Sequence, residues 1–154
     1  MAKQSPTTPV LKNKKARFNF EILEKIECGI VLTGSEVKSL RDGKASLEEA
    51  FAVVRKTELY LRDCTIQPYP QAGYAQHEPT RPRKLLARKR EIRKLHQQIT
   101  QKGLTLVPIK IFFNDRGLAK CQIGLARGKK LHDKRQDHKK RDAKREMDRA
   151  LRRR

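Results

Sequence analysis

Leu104–Phe113 reads LTLVPIKIFF, Asn114–Gly117 reads NDRG, and Leu118–Leu125 reads LAKCQIGL. Two runs rich in β-branched and aromatic residues, separated by four residues that include Asn, Asp and Gly, describe an antiparallel hairpin with a tight turn. The same pattern recurs upstream. Ala50–Val54 (AFAVV) and Leu59–Leu61 (LYL) flank Arg55-Lys56-Thr57-Glu58, a second hairpin. Phe18–Glu24 (FNFEILE) roughly alternates, and Cys28–Leu32 (CGIVL) is an apolar run. About six strands with short connections predict a mainly β fold with helices, closed into a small antiparallel barrel.

Two helices interrupt the strands. Thr33-Gly34-Ser35-Glu36 has the spacing of a capping box, and the short helix that follows ends near Gly43. A longer helix is predicted from Pro82 to Lys102, with proline at its start and Gly103 beyond its end. Leu85, Ile92, Leu95 and Ile99 form its apolar stripe. Cations crowd its first half, where they oppose the helix dipole. That placement favours a face that meets phosphate.

The 154 residues contain 38 Lys and Arg against 17 Asp and Glu, a formal charge of +21. So large an excess repels itself in a folded chain and calls for a polyanionic partner. It is also unevenly spread. Residues 1–17 hold five basic side chains and no acid, residues 18–126 hold 19 basic and 12 acidic, and residues from 127 onward hold 14 and 5. The expected organisation is a basic arm at 1–17, a globular domain at 18–127 and a basic tail at 128–154. The tail cannot bury enough apolar surface to fold alone. Yet Ala143, Met147, Ala150 and Leu151 share one helical face. The tail is therefore expected to be disordered when free and helical when covered.

Other function classes find little support. No run of 18 apolar residues spans a membrane, and the N-terminus lacks the apolar core of a signal peptide. Cys28, Cys64 and Cys121 form no CxxC pair and read as buried small hydrophobes in a reducing, cytoplasmic setting. Gly124–Lys129 is one residue short of a phosphate loop, and Lys130 stands where Ser or Thr is required. His132 and His138 are too isolated for zinc. No residue set argues for catalysis, for a metal or for a cofactor.

Four segments together resemble the small protein B family, also called SsrA-binding proteins. They are Asn13–Arg17 (NKKAR), Gly29–Gly43 (GIVLTGSEVKSLRDG), Pro79–Leu86 (PTRPRKLL) and Gly128–Arg135 (GKKLHDKR), in that order. The resemblance covers almost the whole chain. It implies an oligonucleotide-binding-like barrel that holds the transfer-RNA-like domain of transfer-messenger RNA as a monomer. It also implies delivery of that RNA to stalled ribosomes for trans-translation, the tail entering the empty decoding centre and mRNA path as a helix. Two residues depart from the family pattern: Cys28, where alanine is common, and Ala87, where a larger apolar residue is common.

RNA recognition on such a barrel works through phosphates, 2′-hydroxyls and unstacked bases. Asn13, Lys14, Lys15, Arg17, Lys38, Arg41, Arg83, Lys84, Lys129 and Lys130 are the expected RNA contacts. Glu36 joins them, because a carboxylate accepts hydrogen bonds from base amino groups. The same carboxylate also fits the helix cap. On the ribosome the resemblance assigns contacts to His132, Asp133, Lys134, Arg135, Met147 and Leu151, with the His132 ring able to stack on a base. The rival readings are a constitutive ribosomal or RNA-structural protein with basic extensions and an RNA-processing enzyme.

Overall fold

A computed structural model describes residues 9–129 and 131–153, the side chains of 131–133 excepted. Strands β1 (Leu11–Lys12), β2 (Phe20–Ile30), β3 (Ala45–Ser46), β4 (Phe51–Arg55), β5 (Glu58–Arg62), β6 (Thr65–Ile66), β7 (Arg83–Leu86), β8 (Thr105–Phe113) and β9 (Ala119–Gly128) alternate with helices α1 (Lys14–Asn19), α2 (Gly34–Arg41), α3 (Lys89–Lys102) and α4 (Leu131–Arg152). The ladder runs β8–β4–β5–β7–β2–β9, and β9 pairs back to β8. Every pairing is antiparallel, so the main sheet closes into the expected ring, and β1 adds to β8. Closure leaves few free sheet edges to pair with other chains.

Two bulges divide the apolar residues between two cores. Before the irregularity at Ile22/Glu24, Phe20 and Ile22 pack against Ala16, Val107 and Ala126. After it, Ile26, Cys28 and Ile30 join the main core. Strand β8 does the same across Pro108/Lys110, with Val107 in the small core and Ile111 in the large one. One extra residue in a two-residue repeat turns the following side chains to the opposite face. Pro108, which has no N–H to donate, sits at this bulge. Gly124 makes the small core possible, because a Cβ there would meet Ile109 Cδ1 and Ile22 Cγ2 at 3.0 Å. Cys28, Cys64 and Cys121 are free and buried as expected, and burial pushes the Cys28 and Cys64 thiols up to about 11.

Two expectations change. Residues 83–86 are strand β7, and the helix begins only at Lys89. Gly29 and Ile30 of β2 pair with Leu86 and Leu85, and β5 pairs with the other side of β7, so these four residues complete the ring. Their ladder bonds and the burial of Arg83 and Leu85 outweigh local helix preference. The stripe C-terminal to them is real: Ile92 and Leu95 are buried, and α3 ends at Gly103 with φ of 62°, a left-handed cap. The second change is at the basic arm, which from Leu11 onward is built into the fold. Leu11 and Lys12 pair with Ile111 and Lys110. Asn13 caps α1, its Oδ1 accepting from Ala16 N at 3.2 Å, while its Nδ2 donates to Leu47 O and Pro108 O. Residues 1–8 lie outside the described residues.

Candidate nucleic-acid interface

Strand order brings together cations that are far apart in the chain. Lys12 and Lys110 face one another across the β1–β8 ladder, and Gln122 of β9 pairs with Lys110. With Lys14 and Arg17 of α1 and Lys25 of β2, these cations form one wall of a groove of about 620 Å³. Arg141 and Arg145 of α4 form the other. No carboxylate is among the lining residues, and none of these seven cations makes an ion pair among the described residues. Unpaired cations around a concave surface raise the local positive potential and attract a polyanion.

Helix α4 is held there by aromatic and polar contacts to α1. The Phe18 ring meets the His138 ring edge-on at 4.6 Å between centroids, and the Arg141 guanidinium lies 5.3 Å from the Phe18 centroid. Lys129 Nζ donates to Asp137 and to Arg17 O, the latter at 2.8 Å. The Lys129 hydrogen bond holds the half-buried Asp137 carboxyl below its ordinary value. The tail, expected to be helical only when covered, is a helix here with Met147 and Leu151 still 66% and 69% exposed.

The acid expected to read a base is placed differently. Glu36 and Arg83 have no exposed surface. Arg83 Nε donates to Glu36 Oε2, Arg83 Nη1 donates to Cys64 O at 2.5 Å, and Nη2 donates to Pro79 O at 3.1 Å. Glu36 Oε1 accepts from Arg81 Nη2 at 2.5 Å and from Thr33 N at 3.0 Å. Burial pushes the Glu36 carboxyl up, but hydrogen bonds from Arg81, Thr33 and Arg83 outweigh it and leave the group below its ordinary value. Each polar side-chain atom of the two residues has a partner within the protein. Both are buried supports that join α2 to the 77–83 segment. His77 belongs to the same support, its Nε2 donating to Ile66 O at 2.9 Å, which leaves Nδ1 to accept from Ser35 at 2.7 Å. Asn13 is likewise buried, with its amide bonded to Leu47, Pro108 and Ala16.

The remaining expected contacts are distributed. Lys14 and Arg17 are exposed at the groove. Lys38 and Arg41 are exposed on α2, within 5.5 Å of the Tyr69 and Phe113 ring centroids. Lys15 pairs with Glu48 and Glu49, and Lys84 with Glu58. Lys134 is half-buried and Arg135 exposed. Lys130 lies outside the described residues, as do the side chains of His132 and Asp133. Lys25, Lys110, Arg141 and Arg145 were not among the expected contacts. A single Lys on the solvent side of a strand is indistinguishable in sequence from an ordinary solubilising charge, and only the strand order makes these residues neighbours.

A closed ring of strands with a basic groove and a basic terminal helix defines a small polyanion-binding module. The model of the family described as SmpB protein matches residues 10–153. The SsrA-binding protein of Rhodopirellula baltica is 51% identical over 97% of this chain and 85% of its own length, and that of Beijerinckia indica 55% identical over 92% and 90%. A solved structure described as "tmRNA-SmpB: a journey to the center of the bacterial ribosome" superposes with a TM-score of 0.67 at 54% identity, covering 80% of this chain and 86% of that one. The chain belongs to the SmpB family.

Proposed function

We propose that this protein binds transfer-messenger RNA through its barrel and carries it to stalled bacterial ribosomes for trans-translation. The observation that carries the reading is the match to the tmRNA-SmpB structure at 54% identity, made by a chain whose basic groove has no carboxylate in its lining. The protein acts by recognition rather than catalysis. It works in the cytoplasm, where ribosomes are, and no described helix is long and apolar enough to cross a membrane. It binds the RNA as a monomer. Exposed cations Lys14, Arg17, Lys38 and Arg41 meet phosphates. Lys15, Lys84, Lys129 and Lys130 meet them too, the first three at the expense of pairs with Glu49, Glu58 and Asp137. Arg135, Lys134, Asp133 and His132 enter the decoding centre, and the rest of the tail follows the mRNA path.

The tail's apolar stripe supports that division of labour. Met147 and Leu151 lie one helical turn apart and are covered by nothing in the described structure. Exposed apolar side chains on a helix this charged gain little in water and much against a partner. Changing both to Asp is expected to abolish tagging of a stalled nascent chain in a reconstituted translation system. The thermal unfolding temperature and tmRNA affinity should stay near wild type. Full-rate tagging by this variant would remove the ribosomal role of the tail.

A further inference from the structure

The groove beneath α4 is built from two like-charged walls. Arg141 and Arg145 are one helical turn apart and face Lys25 and Lys110 together with the α1 cations. Like charges at i and i+4 already disfavour the helix slightly. Placing them opposite five further cations adds repulsion that the Phe18, His138 and Asp137 contacts help to offset. An anion between the walls reverses the sign of that interaction for both.

We propose that the groove takes a stretch of RNA phosphodiester backbone, and that its occupancy closes the first half of α4 onto the barrel. RNA capture would then set the direction in which the tail leaves the protein. The proposal rests on the RNA-binding reading above and adds a coupling between its two halves. Three observations carry it. The volume of about 620 Å³ lies within the ~300–1,000 Å³ of sites that hold drug-sized ligands, so it suits a short length of strand better than a lone ion. The charge is supplied from both sides of the groove. Gln122 adds a neutral donor and acceptor to the lining, suited to a 2′-hydroxyl. Phe18 acts as the pivot, because its ring touches both His138 and Arg141 and so ties the helix to α1.

The test uses the full chain and two double variants, Lys25→Ala/Lys110→Ala on the barrel wall and Arg141→Ala/Arg145→Ala on the helix wall. All four side chains are at least partly exposed, so the fold should persist, and thermal unfolding checks it. Amide hydrogen exchange over residues 136–148 is followed in the free protein, with the isolated tRNA-like domain of transfer-messenger RNA, and with isolated small ribosomal subunits. RNA is expected to slow exchange across this segment in the wild type and to do so much less in either double variant. Each variant should also lower the slope of log affinity against log salt by about 1.4, at roughly 0.7 per lost single-strand phosphate contact. Slowing by the tRNA-like domain alone identifies that RNA as the occupant; slowing only by the subunits identifies ribosomal RNA. Steep RNA binding with unchanged exchange, or with slopes equal in wild type and both variants, overturns the groove while leaving the proposed function standing. Absence of RNA binding by the wild type would overturn both.

Discussion

The Glu36 cluster and the groove beneath α4 are made from the same kinds of side chain and behave in opposite ways. In the first, Arg83 is sealed from solvent and spends its guanidinium on one carboxylate and three carbonyls. In the second, seven cations line an open space with no carboxylate among them. A desolvated charge is tolerable only when it is paired and hydrogen-bonded, whereas an exposed charge left unpaired is available to a ligand. Position in a basic motif does not separate the two cases. Arg83 and Lys84 are adjacent, yet one is an internal strut and the other reaches Glu58 at the surface.

The sharpest way to break this contrast is at the strut. Arg83→Met leaves the buried Glu36 with Arg81 as its only ionic partner, and removing one member of a buried pair typically costs about 3–5 kcal/mol. Chemical denaturation should show a loss of that size. RNA affinity per folded molecule, measured well below the unfolding midpoint, should change little. A large affinity loss with stability intact would return Arg83 to the RNA surface.

A smaller effect is expected of Glu36→Gln. Hydrogen bonds to a charged group contribute about 1.5–3 kcal/mol, and the amide keeps part of the cap to Thr33. The pH dependence gives an independent signature. The folded carboxyl titrates below the unfolded value of about 4.3, so its stabilisation is complete above that value and is lost as pH falls through the folded one. The wild type should therefore lose stability on acidification more steeply than the Gln variant. Any loss of binding should track thermal stability and be equal for transfer-messenger RNA and a generic transfer RNA. A selective loss for transfer-messenger RNA at unchanged stability would mean that the carboxylate reads the RNA directly.

The parts legible in the sequence are those governed by local rules. The β8–β9 and β4–β5 hairpins follow from apolar runs around turn residues, the α2 start from Thr33 and Glu36, and the α3 end from Gly103. The illegible parts depend on partners distant in the chain. Strand β7 is four residues long, too short for its pattern to separate a strand from one helical turn, and its identity comes from β2 and β5. The same is true of the site. Lys14 and Arg17 stood out in a basic motif, but Lys25 and Lys110 became candidates only when β2, β9 and β8 proved to be neighbours. Glu36 has two readings in the sequence, cap and contact; the cap is formed, and the buried Arg83 explains why the carboxylate is sealed from solvent. That pairing spans 47 residues and has no local signature.

The central claim is that this chain recognises one RNA rather than RNA in general. Capturing the full-length protein from bacterial cells and sequencing the RNA that comes with it tests this most directly. The account predicts that transfer-messenger RNA dominates the bound pool far beyond its share of total RNA, and that it persists through a moderate-salt wash. A pool that mirrors cellular transfer and ribosomal RNA would contradict it and would make the protein a general basic binder.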